Sequence, residues 1–221
     1  MHPRRQFLAM LGAAGASLLA RPAWSEQAMR RPVPYTKLKY ASVVRQTADF
    51  TCGAASVATI LTYYWRRPTT EIEVLEIIRK RYTAEEWKNQ EEKGVSFEDL
   101  IFASNALGFQ ADGAELPASG LINLAAPVIV HMDKGKFQHF SVLRKAREDM
   151  VWLSDTIVGE TAVIMPEFIK EYSGKALAIA PKGADLVTNS RLGNVRDGQS
   201  VSRLVGDVLT RPVDRLSVGL Q

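Results

Sequence analysis

An internal disulfide is excluded in this chain, because Cys52 is the only cysteine among 221 residues. A long apolar run is also missing. The Ala/Gly-rich stretch 7–20 falls short of the roughly 20 residues that a membrane-spanning helix needs, Pro22 follows it, and no later stretch is long enough. An excess of one charge sign disappears once the N-terminus is set aside. The formal net charge of +4 includes Arg4, Arg5 and Arg21, and without them 25 basic residues face 24 acidic ones, a net of +1. A surface so balanced has no general attraction for nucleic acid or an anionic membrane, and neither is expected as a partner. No internal repeat is present. The 46% hydrophobic content suffices for one core with a short extension, not for two full domains.

The N-terminus reads as an export signal. Arg4 and Arg5 precede the apolar run, and Ala23-Trp24-Ser25 supplies small residues at the cleavage positions. Arg4-Arg5-Gln6-Phe7-Leu8 is also similar to the twin-arginine signature, with Pro3 before the pair, so both export routes stay open. The expected organisation is a signal peptide over 1–25, an N-terminal arm over 26–32, a folded domain over 33–181 and a C-terminal extension over 182–221. Cleavage near Ser25 places the mature chain in the periplasm or otherwise outside the cytoplasm.

Hydrophobic spacing predicts helices first and strands second. The Pro-rich segment Arg30-Arg31-Pro32-Val33-Pro34-Tyr35 reads as an extended arm leading into a short strand over 38–44. Residues 52–65 are Ala-rich with apolar residues near helical spacing, and Ile72, Leu75, Ile78 and Tyr82 mark an amphipathic helix over 70–81. The charged stretch 85–93 is a solvated helix or loop. Ser96-Phe97-Glu98-Asp99 is similar to a capping box and opens a helix that Gly108 closes. Beyond Pro117, the runs 128–130, 140–143 and 151–153 read as consecutive antiparallel strands; a short helix over 166–172 and a last strand over 176–180 complete the domain. This is an α+β pattern. Residues 182–202 read as a loose linker, followed by a possible amphipathic segment over 204–209.

For a lone cysteine the commoner role is a small buried hydrophobe. Position argues otherwise for Cys52. It stands at the first turn of a predicted helix, where exposed amides and the positive end of the dipole favour thiolate over thiol. Gly53, without a Cβ, is expected to leave the approach to the sulfur open. Gln46, six residues earlier, brings a side-chain amide that can join the Cys52 backbone NH as a donor to a tetrahedral oxyanion. A base is needed, and with His2 in the signal only His131 and His139 remain. His139 begins one predicted strand, expected at a sheet edge facing a cleft. His131 ends the strand before it, and position does not separate the two. Asp155 ends the next strand, where its carboxylate can fix the tautomer of an imidazole or simply cap a turn.

The segments Gln46-Thr47-Ala48-Asp49-Phe50-Thr51-Cys52-Gly53-Ala54-Ala55, Gly94-Val95-Ser96-Phe97-Glu98-Asp99-Leu100, Pro127-Val128-Ile129-Val130-His131, His139-Phe140-Ser141-Val142-Leu143 and Leu153-Ser154-Asp155 together resemble the C39 peptidases. These are papain-like cysteine peptidases that cleave leader peptides after a Gly-Gly pair. The resemblance spans roughly residues 33–181. It implies a papain-like α+β fold, with an N-terminal helical part packed on a C-terminal antiparallel sheet. It also implies Cys52 as nucleophile, His139 as base, Asp155 as orienter and Gln46 as oxyanion donor, with His131 outside the catalytic set. The chain departs from the family pattern at Thr51, where many members are acidic, and at Thr156, where many have Pro.

The implied activity is hydrolysis of a peptide or protein substrate, an exported protein or its leader, after small residues such as Gly. Stand-alone exported members accompany secretion systems, including those for functional amyloid. No cofactor or metal is expected, because the chemistry needs only thiol, imidazole and oxyanion donors. Two alternatives stay open: a catalytically silent C39-like domain that binds a leader or chaperones an exported partner, and a papain-like amidase or transglutaminase.

Overall fold

In the computed structural model, residues 34–185, 187 and 190–192 are described, and they belong to a unit that begins at Pro34. The expected signal peptide, the arm over 26–32, the segment 204–209 and the rest of the extension lie outside the described residues. The elements run α1 (Tyr35–Lys39), a 3-10 turn (Asp49–Thr51), α2 (Cys52–Tyr63), α3 (Glu71–Arg79), α4 (Ala84–Lys93), α5 (Phe97–Ala106), β1 (Phe109–Glu115), α6 (Ala118–Leu121), β2 (Val128–Asp133), β3 (Gln138–Ala146), β4 (Met150–Asp155), β5 (Gly159–Ile164), α7 (Met165–Glu171) and β6 (Tyr172–Pro181). The architecture is α+β, as expected.

One six-stranded antiparallel sheet holds the second half, in the order β1-β6-β2-β3-β4-β5. Alternation along its strands feeds two separate cores. Ile129, Val142, Leu177 and Ile179 join α2, α3 and α5 in the larger cluster; Val128, Val130, Leu143 and Ala176 join Met165 and Phe168 of α7 and Leu121 of α6 in the smaller. The central strands β2, β3 and β6 are therefore buried on both faces, which is why they read as unbroken apolar runs. The edge strands β1 and β5 carry half-exposed residues such as Gln110, Asp112 and Glu160, and so present no such run.

The larger core forms around α2. Ala54, Ala55, Val57, Ala58, Ile60 and Leu61 are all fully buried, so this helix is apolar all round and its alanines let neighbours come close. Helices α4 and α5 open on capping boxes, Thr83 with Glu86 and Ser96 with Asp99. Asp99 does more than cap. Its fully buried carboxylate takes bonds from Arg81 (2.5 Å), Tyr82 Oη (2.7 Å), Gln90 Nε2 (3.2 Å), and the Ser96 backbone NH (2.9 Å) and hydroxyl (2.8 Å). One side chain thus ties the end of α3, α4 and the start of α5 together.

Two expectations need correction. Residues 38–44 are not a strand: α1 is a single helical turn after Pro34, with Tyr35 and Leu38 largely exposed. The chain beyond it is held by other partners than a neighbouring strand, with the Val44 NH donating to Thr59 Oγ1 at 2.9 Å and the Gln46 NH to Thr156 O at 3.2 Å. Nor are residues 182–192 wholly loose. Leu192 is 1% exposed within the larger core, and its carbonyl accepts from Arg144 Nε at 3.3 Å. Gly53 also meets a packing requirement. A Cβ there would lie 2.6 Å from Val95 Cγ2, 3.0 Å from Leu100 Cδ2 and 3.1 Å from Phe140 Cδ2, so its smallness is a packing requirement between α2, α5 and β3.

Two variants measure these constraints. Gly53→Ala is expected to lose about 1–3 kcal/mol through overpacking against a stiff valine. Asp99→Ala is expected to lose about 3–5 kcal/mol, because buried donors are left without an acceptor. Each should appear as a lower urea midpoint at unchanged slope; a midpoint equal to wild type would contradict the packing or the tie.

Candidate active site

Three elements converge on the start of α2. The 3-10 turn Asp49–Thr51 runs directly into the helix, and the Thr51 hydroxyl closes that turn by donating to Ala48 O at 2.8 Å. Cys52 therefore occupies the first position of a 12-residue helix, at its positive end. It is 6% exposed and a free thiol.

His139 meets it from β3 and Asp155 from the end of β4. The ring Nε2 lies 2.8 Å from Asp155 Oδ2, leaving Nδ1 as the nitrogen for the thiol. The other carboxylate oxygen, Oδ1, accepts the backbone NH groups of Ile157 (2.9 Å) and Val158 (3.0 Å), so the turn after β4 fixes the carboxylate plane. His139 is 1% exposed and Asp155 6%. The expected sheet-edge position of His139 is incorrect: β3 lies inside the sheet between β2 and β4, and burial on both faces encloses the ring.

Burial alone would depress the His139 pKa. The hydrogen bonds from Asp155 and Cys52, together with their charges, outweigh it and carry the value up from 6.5 to about 9. Burial likewise pushes Asp155 up, but the His139 hydrogen bond and charge, with the Val158 and Ile157 amides, hold it below its ordinary value. The ring is thus a cation at neutral pH.

His131 sits in a different setting. The β2–β3 register puts it across from Phe140, and His139 across from Met132. Its ring packs against Phe97 and Phe140, with centroids 5.8 and 5.1 Å away. Ser173 Oγ donates its one hydrogen to His131 O at 3.1 Å, so His131 Nδ1 must donate to Ser173 Oγ at 2.9 Å. Burial and the Lys175 charge keep its pKa low. This ring is a neutral packing element.

Gln46 bridges the turn that leads into Cys52 and the residue after Asp155. Its Nε2 donates to Ala48 O at 2.9 Å and its Oε1 accepts from Thr156 Oγ1 at 2.7 Å. Sequence reasoning did not assign Thr156 a role; its place directly after Asp155 was visible, but the aim of its hydroxyl was not. Among the described residues no group of three or more His, Cys, Asp or Glu could hold a metal.

A family model described as peptidase C39 matches residues 40–184. The chain belongs to the peptidase C39 family. Its C39 relatives include the probable functional amyloid protease FapD of Pseudomonas fluorescens, 26% identical over 180 residues that make up 76% of this chain and 78% of that protein. The corresponding FapD of Pseudomonas aeruginosa is 31% identical over 147 residues, 66% of this chain and 64% of that protein. The peptidase domain of Streptococcus ComA, a bifunctional ABC transporter involved in quorum sensing, shares the fold with a TM-score of 0.54 at 23% identity, over 63% of this chain and 98% of that domain. The six-stranded sheet with helices packed on it is thus a C39 peptidase fold.

The raised and lowered pKa values make the His139–Asp155 pair pH-dependent. Since the folded His139 value exceeds 6.5, its contribution to stability is complete below that pH and fades as pH rises through about 9. Asp155 contributes above its ordinary 3.8 and loses that contribution as pH falls through its depressed value. In a titration followed by NMR, one imidazole is expected to titrate near pH 9, and Asp155→Asn should move it downward. A His139 ring that titrates near 6.5 in the wild type contradicts the pairing.

Proposed function

We propose that this C39 peptidase is an exported cysteine endopeptidase with Cys52 as nucleophile, His139 as acid and base, and Asp155 as the group that orients His139. The observation that carries the reading is the enclosure of one imidazole between a carboxylate on Nε2 and a helix-start thiol on the other side. Cys52 Sγ attacks the peptide carbonyl carbon, and the electron pair of the C=O bond moves onto oxygen. His139 gives its proton to the leaving nitrogen as the C–N bond breaks, which leaves a thioester. Water then attacks with His139 taking its proton, and the acid product leaves as Cys52 is regenerated. The Cys52 backbone NH and Gln46 Nε2 are the donors assigned to the oxyanion.

Cys52, only 6% exposed, favours a chain of small residues, since a bulky side chain beside the scissile bond is harder to bring up to a buried thiol. This supports cleavage after Gly or a similar residue. The N-terminal segment, with Arg4 and Arg5 before an apolar run, supports export to the periplasm. With relatives named as functional amyloid proteases, the substrate class proposed is a secreted protein or leader handled by a secretion system, including systems that build amyloid.

The test compares wild type, Cys52→Ala and His139→Ala for cleavage of peptides with Gly-Gly or bulky residues before the bond. Both variants are expected to fall at least about a thousandfold, with Cys52→Ala native by circular dichroism and His139→Ala less stable because Asp155 is left without its partner. Full turnover by Cys52→Ala would sink the assignment, and equal cleavage after bulky residues would remove the small-residue preference. In cells the mature chain is expected in the periplasmic fraction, shortened by about the length of its signal; recovery of the full-length chain in the cytoplasm counts against export.

A further inference from the structure

We infer that Thr156 is a positioning residue that sets the orientation of the oxyanion donor Gln46. The inference rests on the peptidase reading above and adds a residue outside its catalytic set. Thr156 is fully buried and holds Gln46 twice: its carbonyl accepts the Gln46 backbone NH at 3.2 Å, and its hydroxyl donates to Gln46 Oε1 at 2.7 Å. Gln46 Nε2 donates to Ala48 O at 2.9 Å. Reversing the amide would set Oε1 against the Ala48 carbonyl, two acceptors face to face, so the orientation is fixed by the network. One Nε2 hydrogen is spent on Ala48. The other has no acceptor among the described residues and is the one left for an oxyanion.

The Ala48 carbonyl is itself held, because it also accepts the Thr51 NH at 3.2 Å and the Thr51 hydroxyl at 2.8 Å in the turn that leads into Cys52. Gln46 is therefore clamped between the turn that carries the nucleophile and the turn that carries Asp155. A hydroxyl that donates to the amide oxygen also draws electron density from the amide nitrogen, which strengthens the remaining N–H as a donor. Without the hydroxyl, the amide can rotate, and the donor is misplaced at the stage where negative charge builds on the carbonyl oxygen.

Thr156→Val keeps the shape and removes the hydroxyl; Thr156→Ser keeps the hydroxyl. Loss of a whole oxyanion donor costs a hundredfold or more in kcat, so loosening one is expected to cost roughly tenfold, with KM within about twofold of wild type. Thr156→Ser should stay within about threefold of wild type. In a Gln46→Ala background, Thr156→Val should change kcat less than about twofold, because the group it orients is gone. Alkylation of Cys52 by iodoacetamide, which develops no oxyanion, should proceed at the wild-type rate.

Unchanged kcat in Thr156→Val, an equal loss in the Gln46→Ala background, or a parallel fall in alkylation each overturns the inference. If Val does not fold, Thr156→Ala carries the same comparisons. Failure of the underlying reading is distinguished by Cys52→Ala: turnover there removes the cysteine mechanism, whereas a dead Cys52→Ala with an unimpaired Thr156→Val removes only the role of Thr156.

Discussion

A 2.8 Å contact between an imidazole and a carboxylate, both almost entirely withdrawn from water, governs the layout of the site. Taking either charge out of water singly would cost several kcal/mol, so neither group is stable there without the other and without further bonds to its remaining polar atoms. Asp155 meets this condition by spending its second oxygen on two backbone amides. His139 meets it by facing Asp155 with one nitrogen and the thiol with the other. The β3–β4 pairing, with Val142 opposite Ser154, places both residues toward the same end of the sheet. A one-residue slip in that pairing would turn the carboxylate to the other face and leave a buried cation unpaired.

The Cys52 side is built from short-range polar contacts instead of sheet register. Residues 44–48 form no regular element, yet their backbone donors are taken up by groups on three elements. The Val44 NH goes to Thr59 Oγ1 on α2, the Thr47 NH to Glu71 Oε1 at the start of α3, and the Gln46 NH to the carbonyl of Thr156 beyond β4. Each is a backbone donor satisfied by a neighbour on another part of the chain, and together they hold the loop in place.

Much of this was legible in the sequence where the information is local. The position of Cys52 at a helix start, the capping box at Ser96 and the unbroken apolar runs of β2 and β3 depend on neighbours within a few residues, and each reads correctly. Choosing between His131 and His139 required pairing register, which no local pattern encodes; only the family resemblance favoured His139. Strands β1 and β5 escaped notice because an edge strand with one exposed side and residues such as Asp112 or Glu160 lacks the apolar continuity that reveals a central one. The mistaken strand over 38–44 shows the converse: residues of fair strand propensity lie beside the sheet with their bonds committed elsewhere. Gly53 was singled out for its smallness, but its crowding by Val95, distant in sequence, is not encoded in the local pattern.

The sheet order carries a further implication for how the site is completed. Strand β6, the last to be made, lies between β1 and β2, and its partners in β1 precede it by about seventy residues, as in the pairing of Phe109 with Pro181. Contacts of such separation form late, because a long loop must close before they contribute. Until residue 181 has emerged and inserted, β2 lacks one flank, and the wall that holds β3 and its imidazole is incomplete. A chain still in synthesis carries Cys52 and His139 before the sheet around His139 is complete. The order of the strands thus ties the enclosure of His139 to the last strand of the described sheet.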